Sequence, residues 1–268
     1  LFPTSFGYWP FIQQLAPKYP DVLFVHAGGL WKEGDAPNTI GYRGYMEEPH
    51  YLAGIAAGRL TETGKLGFIG AKPLYFVFNN CNGFTLGARS VRPDTTCNVV
   101  ITGEWNNPTK EADAVNAMVD QGVDVIVANV DSPKVAIETA ERRGIMSVGY
   151  HTDQSDLAPE GFLTGAEWNW AKGKEFVTAW LTGSDYPNLL RGGFAGDMVG
   201  VSPFGAAGRS VGGATRFSLP MASCHVCPAD VATSATSPRP GSWRASRRVH
   251  GGSPARAGRA ARAAATGW

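Results

Sequence analysis

Trp168, Asn169 and Trp170 stand together where an apolar stretch, FLTGA, gives way to a helix-like run, KGKEFVTAWL. Tryptophan is costly to leave in water, and a buried asparagine needs hydrogen-bond partners. Being two apart, the indoles share one face of an extended chain. That face is either core or a platform on which a flat ligand stacks, with Asn169 reading the ligand's polar edge. Stacking a base on an aromatic ring contributes about 1–3 kcal/mol. Two such rings could therefore supply much of a micromolar affinity.

Similar residues follow other apolar stretches. Ser5, Phe6, Gly7, Tyr8 and Trp9 come after the opening segment, Asp131 and Ser132 after VDVIVANV, and His151, Thr152 and Asp153 after IMSVGY. In open parallel sheets, ligands bind outside the carboxyl ends of the strands. The shared placement is a stronger argument for a binding site than any single residue. Each residue also has a plainer reading. Ser132 before Pro133 is the pattern of an N-cap followed by proline at the first helical position. Asp131 either belongs to that helix start or accepts a hydrogen bond from a ligand amine or ribose hydroxyl. Asp153 either caps a turn or meets the ligand, and Phe6 either stacks or is buried. A lone histidine such as His151 is more often structural than catalytic.

Enzymatic signatures are absent. The sequence has no P-loop, HExxH or GxGxxG after a strand, and its one GxSxG match, GRSVG (208–212), falls in the aperiodic tail rather than directly after an apolar strand pattern, so no catalytic residue, cofactor or metal is expected. Asp131 and Asp153 would form an acid–base pair only if the fold brought them together. Cys224-His225-Val226-Cys227 resembles half of a zinc site but has no second pair at useful spacing. Four cysteines are too few for a disulfide framework.

The elements that would position these residues are legible. KLGFIG (65–70), NVVITGEW (98–105), VDVIVANV (123–130), IMSVGY (145–150) and FLTGAEW (162–168) read as strands. Between them, 79–91, 108–122 and 132–144 read as helices, with Gly122 and Gly144 at helix ends. Farther out, 21–28 and 196–203 read as strands, and 47–61 and 172–183 as helices. Strands alternating with helices at this spacing predict βαβ units, an α/β fold with parallel sheets. At 43% apolar residues, 268 positions suffice for two modest domains. No run approaches the roughly 18 apolar residues of a membrane span. No signal peptide is visible, and the opening LFPTSFGYWP reads as the middle of a longer protein.

Composition changes after position 205. Nine of the 24 basic residues, all arginine, lie beyond it, but only one of the 23 acids, Asp230. Residues 206–268 are rich in Ala, Arg, Gly, Ser and Pro, show no sustained period, and are expected to be disordered. A basic tail of this kind points either to nucleic acid or to out-of-frame translation of a GC-rich gene. The frameshift reading requires that another frame of the coding DNA continue the α/β pattern past Gly205; a DNA sequence without that continuation overturns it.

The stretches TSFGYWP, EEPHYLAGIAAGRLTETGKLGFIGA, NGFTLGARSVRPD, ANVDSPKVAIETAERRGI, VGYHTDQSDLAP, WNWAKG and GDMVGVSPFG resemble the basic membrane protein (BMP) family of periplasmic solute-binding proteins. The resemblance runs almost continuously over residues 1–205. It implies the type I periplasmic binding fold: two lobes with parallel sheets flanked by helices, joined by hinge strands, with the ligand between them. Residues 1–63 with 152–205 would form a partial first lobe and 64–151 the second. It also implies a purine nucleobase or nucleoside as ligand and an ABC transporter permease as partner. The full-length protein would be periplasmic or anchored outside the cytoplasm. Pocket positions carried over are Phe6, Gly7, Tyr8, Asp131, Ser132, Asp153, Trp168, Asn169 and Trp170, with Asp197 as a further candidate. This chain departs from the family in lacking the strand–helix portion before TSFGY, in having His151 where Asp is more usual, and in the tail, so weak binding is expected. A sugar-binding transport protein and the ligand-sensing domain of a transcription regulator are the alternative readings.

Overall fold

The computed structural model describes residues 1–212. The first elements are α1 (Trp9–Leu15), β1 (Phe24–Ala27), β2 (Thr39–Gly44), α2 (Glu47–Leu60), β3 (Lys65–Gly70) and α3 (Tyr75–Val91). They are followed by β4 (Thr96–Ile101), α4 (Pro108–Asp120), β5 (Val125–Asn129), α5 (Lys134–Arg142) and β6 (Met146–His151). The chain continues through β7 (Phe162–Trp168), α6 (Gly173–Thr182), β8 (Leu189–Gly192), β9 (Val199–Val201) and α7 (Arg209–Gly212).

The strands form two sheets, one of three in the order β1-β2-β8 and one of six in the order β4-β3-β5-β6-β7-β9. All pairings are parallel except that of β7 with β9. In β5 every residue is buried, as expected of a strand covered on both faces. On one face α2 and α3 contribute Ala53, Ala57 and Phe84 to a core with Leu66, Phe68 and Val127. On the other, Val115 and Met118 of α4 and Ala136 and Ala140 of α5 pack on Ile69 and Ile126. The small sheet has Trp9 and Ile12 of α1 against Phe24. Phe176 of α6 joins Val25, Ile40 and Tyr42 in a separate cluster.

Several sequence expectations need correction. Helix α5 starts at Lys134 rather than Ser132, and Ser132 is not its cap; Pro133 precedes the first helical residue, with no side-chain cap. The segments β2 and β8 and helix α1 carry too short or too broken an apolar pattern to be read, since TIGYRG and LLRG are interrupted by glycine and arginine. Sheet membership also cuts the chain away from the expected lobe boundaries. Strands β7 and β9 hydrogen-bond into the six-stranded sheet, and α2 packs on that sheet's core. Residues 206–212, expected in the tail, form a turn and α7. There Gly205 N donates to Leu163 O at 2.9 Å, tying the segment to β7. The remainder of the tail lies outside the described residues.

Helices α2 and α3 meet backbone to backbone. A Cβ on Gly54 would lie 2.0 Å from Phe84 O, and one on Gly87 would lie 2.0 Å from Tyr51 O. A Cβ on Gly83 would lie 2.5 Å from the carbonyl of Glu47, at the start of α2. No side chain fits in such gaps, so the absence of Cβ sets the helix separation. Gly87→Ala is expected to lower stability by about 1–3 kcal/mol or more. Gly200→Ala has nothing within 4 Å of the new Cβ and should change it by less than about 0.5 kcal/mol. Urea unfolding of the two variants checks this.

Candidate functional site

The carboxyl ends of both sheets face a cleft with about 540 Å³ of empty space. Aromatic groups enter it from opposite edges of the six-stranded sheet. At the β4 edge, Trp105 and Phe76 stack with centroids 6.1 Å apart and planes within 5°. Phe6, from the small-sheet side, lies 5.0 Å from Phe76. At the β7 end, Trp168 and Trp170 stack at 5.2 Å and 12°. Tyr42 backs them at 5.3 Å from Trp168. Asp131, Tyr150 and His151, at the ends of the central strands β5 and β6, also line the cleft, and Arg43 and Glu47 bring charge to it.

Of the residues singled out in the sequence, Phe6, Asp131, Trp168 and Trp170 line this cleft. The other candidates do not line this cleft. Gly7 and Tyr8 begin the turn into α1, with the Tyr8 side chain outward. Asp153 Oδ1 accepts from Ser155 N at 3.0 Å and holds a turn. The amide of Asn169 is spent on the backbone: Oδ1 accepts from Ala171 N at 3.2 Å, and Nδ2 donates to Asp197 O at 2.9 Å. Asp197 itself has a largely exposed carboxylate 3.9 Å from Lys172 Nζ.

Sequence reasoning missed Arg43, Glu47, Asn80, Phe76 and Trp105. Trp105 follows a recognised strand, and the strand-end rule that found Trp168 could have found it. Arg43 ends a strand whose pattern was too broken to read. Phe76 lies on the first turn of α3, which starts four residues before the pattern that revealed it, whereas Asn80 lies inside the stretch read as a helix, where nothing in the pattern marks it as facing the cleft.

Burial shapes the charges. It pushes the Asp131 carboxyl up, partly offset by a hydrogen bond with Ser5, and raises Glu47 against the opposing pull of Arg43. His151 is held down to about 3 by burial, with His50 adding repulsion. Its backbone sits at φ 76°, in the left-handed region. There its carbonyl accepts from Trp170 Nε1 at 3.1 Å. That bond fixes one indole of the stacked pair. Asn80 Nδ2 donates to Asn129 Oδ1 at 2.7 Å, bracing α3 against the end of β5.

Three chain segments cross between the sheets, and they are tied together. Tyr45 N donates to Gly192 O at 2.8 Å, and Phe194 N donates to Glu48 Oε2 at 2.8 Å. Asn169 N donates to Met198 O at 3.0 Å, and Tyr42 Oη donates to Asn169 O at 2.6 Å. These bonds tie the crossing segments to one another beside the cleft.

The family of PnrA-like ABC transporter substrate-binding proteins matches residues 1–202. A purine-binding protein of Brucella abortus is 40% identical over 170 residues, 63% of this chain and 47% of its own length. A Haloferax volcanii protein named as an ABC transporter glucose-binding protein is 36% identical over 172 residues, 64% of this chain and 43% of that one. The chain thus spans about half the length of these relatives. The crystal structure of an ABC transporter solute-binding protein from Aeropyrum pernix superposes with a TM-score of 0.65 at 17% identity, covering 75% of this chain and 60% of that one. A transcriptional activator of the comK gene from Bacillus halodurans gives 0.65 at 24%, covering 76% and 71%. These structural likenesses show the type I periplasmic binding fold.

His151 and His50, the latter held down to about 4 by burial, stay neutral in the fold but titrate near 6.5 when unfolded. Between those values the unfolded chain binds more protons, so stability is complete above about pH 6.5 and falls as pH drops toward 4. His151→Asn is expected to flatten part of that fall in thermal melts between pH 7 and pH 4.

Proposed function

We propose that this chain, which belongs to the family of PnrA-like ABC transporter substrate-binding proteins, binds a purine nucleobase or nucleoside in the cleft between its two sheets. The observation that carries this reading is the pair of stacked aromatic platforms, Phe76–Trp105 and Trp168–Trp170, at opposite edges of one cleft. A flat heterocycle offers π-faces to such rings, and stacking contributes about 1–3 kcal/mol per base. Arg43, Glu47, Asn80 and Asp131 supply donors and acceptors for its edge. The purine-binding Brucella relative supports the same ligand class. In the proposed cycle the two sheets close on the ligand by bending at the tied crossings, and the closed form docks on a permease outside the cytoplasm. No helix among the described residues is long and apolar enough to cross a membrane.

The Haloferax relative motivates a second reading, a sugar ligand. Indoles can also pack on the apolar face of a pyranose, and the same polar groups could bind hydroxyls. Calorimetric titration with adenine, hypoxanthine, guanosine, glucose and ribose separates the two. Saturable purine binding at least tenfold tighter than glucose is expected, and the reverse order overturns the purine reading. Trp170→Ala should weaken purine binding by about 1–3 kcal/mol, roughly 5- to 150-fold. A change below twofold would remove the Trp168–Trp170 platform from the site.

A further inference from the structure

The cleft is lined by one guanidinium, that of Arg43, which makes no direct ion pair among the described residues. The Arg43 side chain comes from the end of β2 and is only 9% exposed. Its guanidinium carbon lies 4.9 Å from the Tyr75 ring centre and 5.6 Å from that of Phe76. One terminal nitrogen donates to Tyr75 Oη. No carboxylate among the described residues lies within ion-pairing distance of it. Burying a guanidinium without full partners is costly, so its remaining N–H groups call for acceptors. The rings hold the guanidinium by cation–π contact, limiting its freedom to swing into water. Glu47 and Asp131 line the same cleft, and Glu47 Oε2 is buried with no hydrogen-bond partner among the described residues.

The purine edge that complements this set differs between the common bases. A 6-oxopurine such as hypoxanthine or guanine presents two neighbouring acceptors, O6 and N7, and a donor at N1. Adenine replaces O6 with an amino donor and N1–H with an acceptor. Arginine pairs in bidentate fashion with O6 and N7, and the amide of Gln or Asn pairs with adenine N6 and N7. Against Arg43, adenine would set donor against donor, and its N1 lone pair would face a carboxylate rather than supply it with a proton.

We propose that Arg43 makes this site selective for 6-oxopurines, with its guanidinium on O6 and N7 and a cleft carboxylate, Glu47 or Asp131, on N1–H. The assignment rests on the purine reading above and narrows it to one chemical class. It also makes Arg43 the residue that sets the preference, while the aromatic platforms serve either base.

The test is competitive titration of hypoxanthine against adenine on the chain and on Arg43→Gln and Arg43→Lys, with glucose as a third ligand. A good bidentate pair discriminates by about 1–3 kcal/mol, so the native chain should favour hypoxanthine about 5- to 150-fold. Arg43→Gln should reverse the order by gaining affinity for adenine, a gain that misfolding cannot produce. Arg43→Lys, which keeps the charge but loses the fork, should retain a reduced preference for hypoxanthine. Equal affinities in the native chain, an adenine preference there, or an unchanged ratio in a folded Arg43→Gln overturns the role of Arg43 while leaving the purine reading intact. Binding of glucose with neither purine overturns the purine reading and this inference together. If Arg43→Gln does not fold, by circular dichroism, the native ratio and that of Arg43→Lys decide.

Discussion

The site depends on the direct backbone contact between α2 and α3. Two helices with ordinary side chains at their interface keep their axes about 8–10 Å apart. Here Gly54 and Gly58 of α2 meet the backbone of Phe84 and Ala88, and Gly83 and Gly87 of α3 meet that of Glu47 and Tyr51, with spaces too small for a methyl group. The first residues of the two helices are Glu47 and Tyr75, so the contact fixes how the amino ends meet the cleft. A wider separation would move Glu47 and Phe76 relative to one another. Part of the polar recognition and one aromatic platform would move with them.

The rest of the site divides mechanical and chemical work between the two sheets. The six-stranded sheet is covered on both faces and presents strand ends of fixed spacing, as the fully buried β5 and the flanking core clusters show. It carries Trp105, Asp131, His151 and Trp168 in spatial order across its carboxyl edge. The small sheet contributes Arg43, and Phe6 enters the cleft from the segment hydrogen-bonded to β1 of that sheet. Apolar platforms sit at the edges and titratable groups near the centre. An aromatic ring there would lie flat against indoles while its rim met the polar groups.

How much could be read from residues alone followed how regular the local pattern was. The βαβ run from 65 to 168 was legible because apolar periodicity, proline at helix starts and glycine at helix ends all agreed; Gly122, Gly144 and Gly183 do adopt positive φ at those ends. Strands β2 and β8 were illegible because four- and six-residue segments carrying Gly and Arg give no period. The strand-end rule brought Phe6, Asp131, Trp168 and Trp170 to one cleft, but it does not say which way a side chain turns. Asn169 and Asp153 turned to backbone partners, as short polar side chains near turns often do. Arg43 escaped because its strand did, and Phe76 because a helix start contributes to the cleft by packing rather than by its place after a strand.

Asn169 lies in sequence between the two stacked indoles, yet its amide is bound to the backbone of Ala171 and Asp197 rather than turned into the cleft. Ring stacking and backbone bonding are therefore interleaved residue by residue along a tripeptide. On the proposed reading, exchange of either flanking ring would alter the aromatic platform while the central amide kept its backbone bonds. Ligand preference and the ties across the crossing segments could on that reading be altered separately, although their residues alternate along the chain.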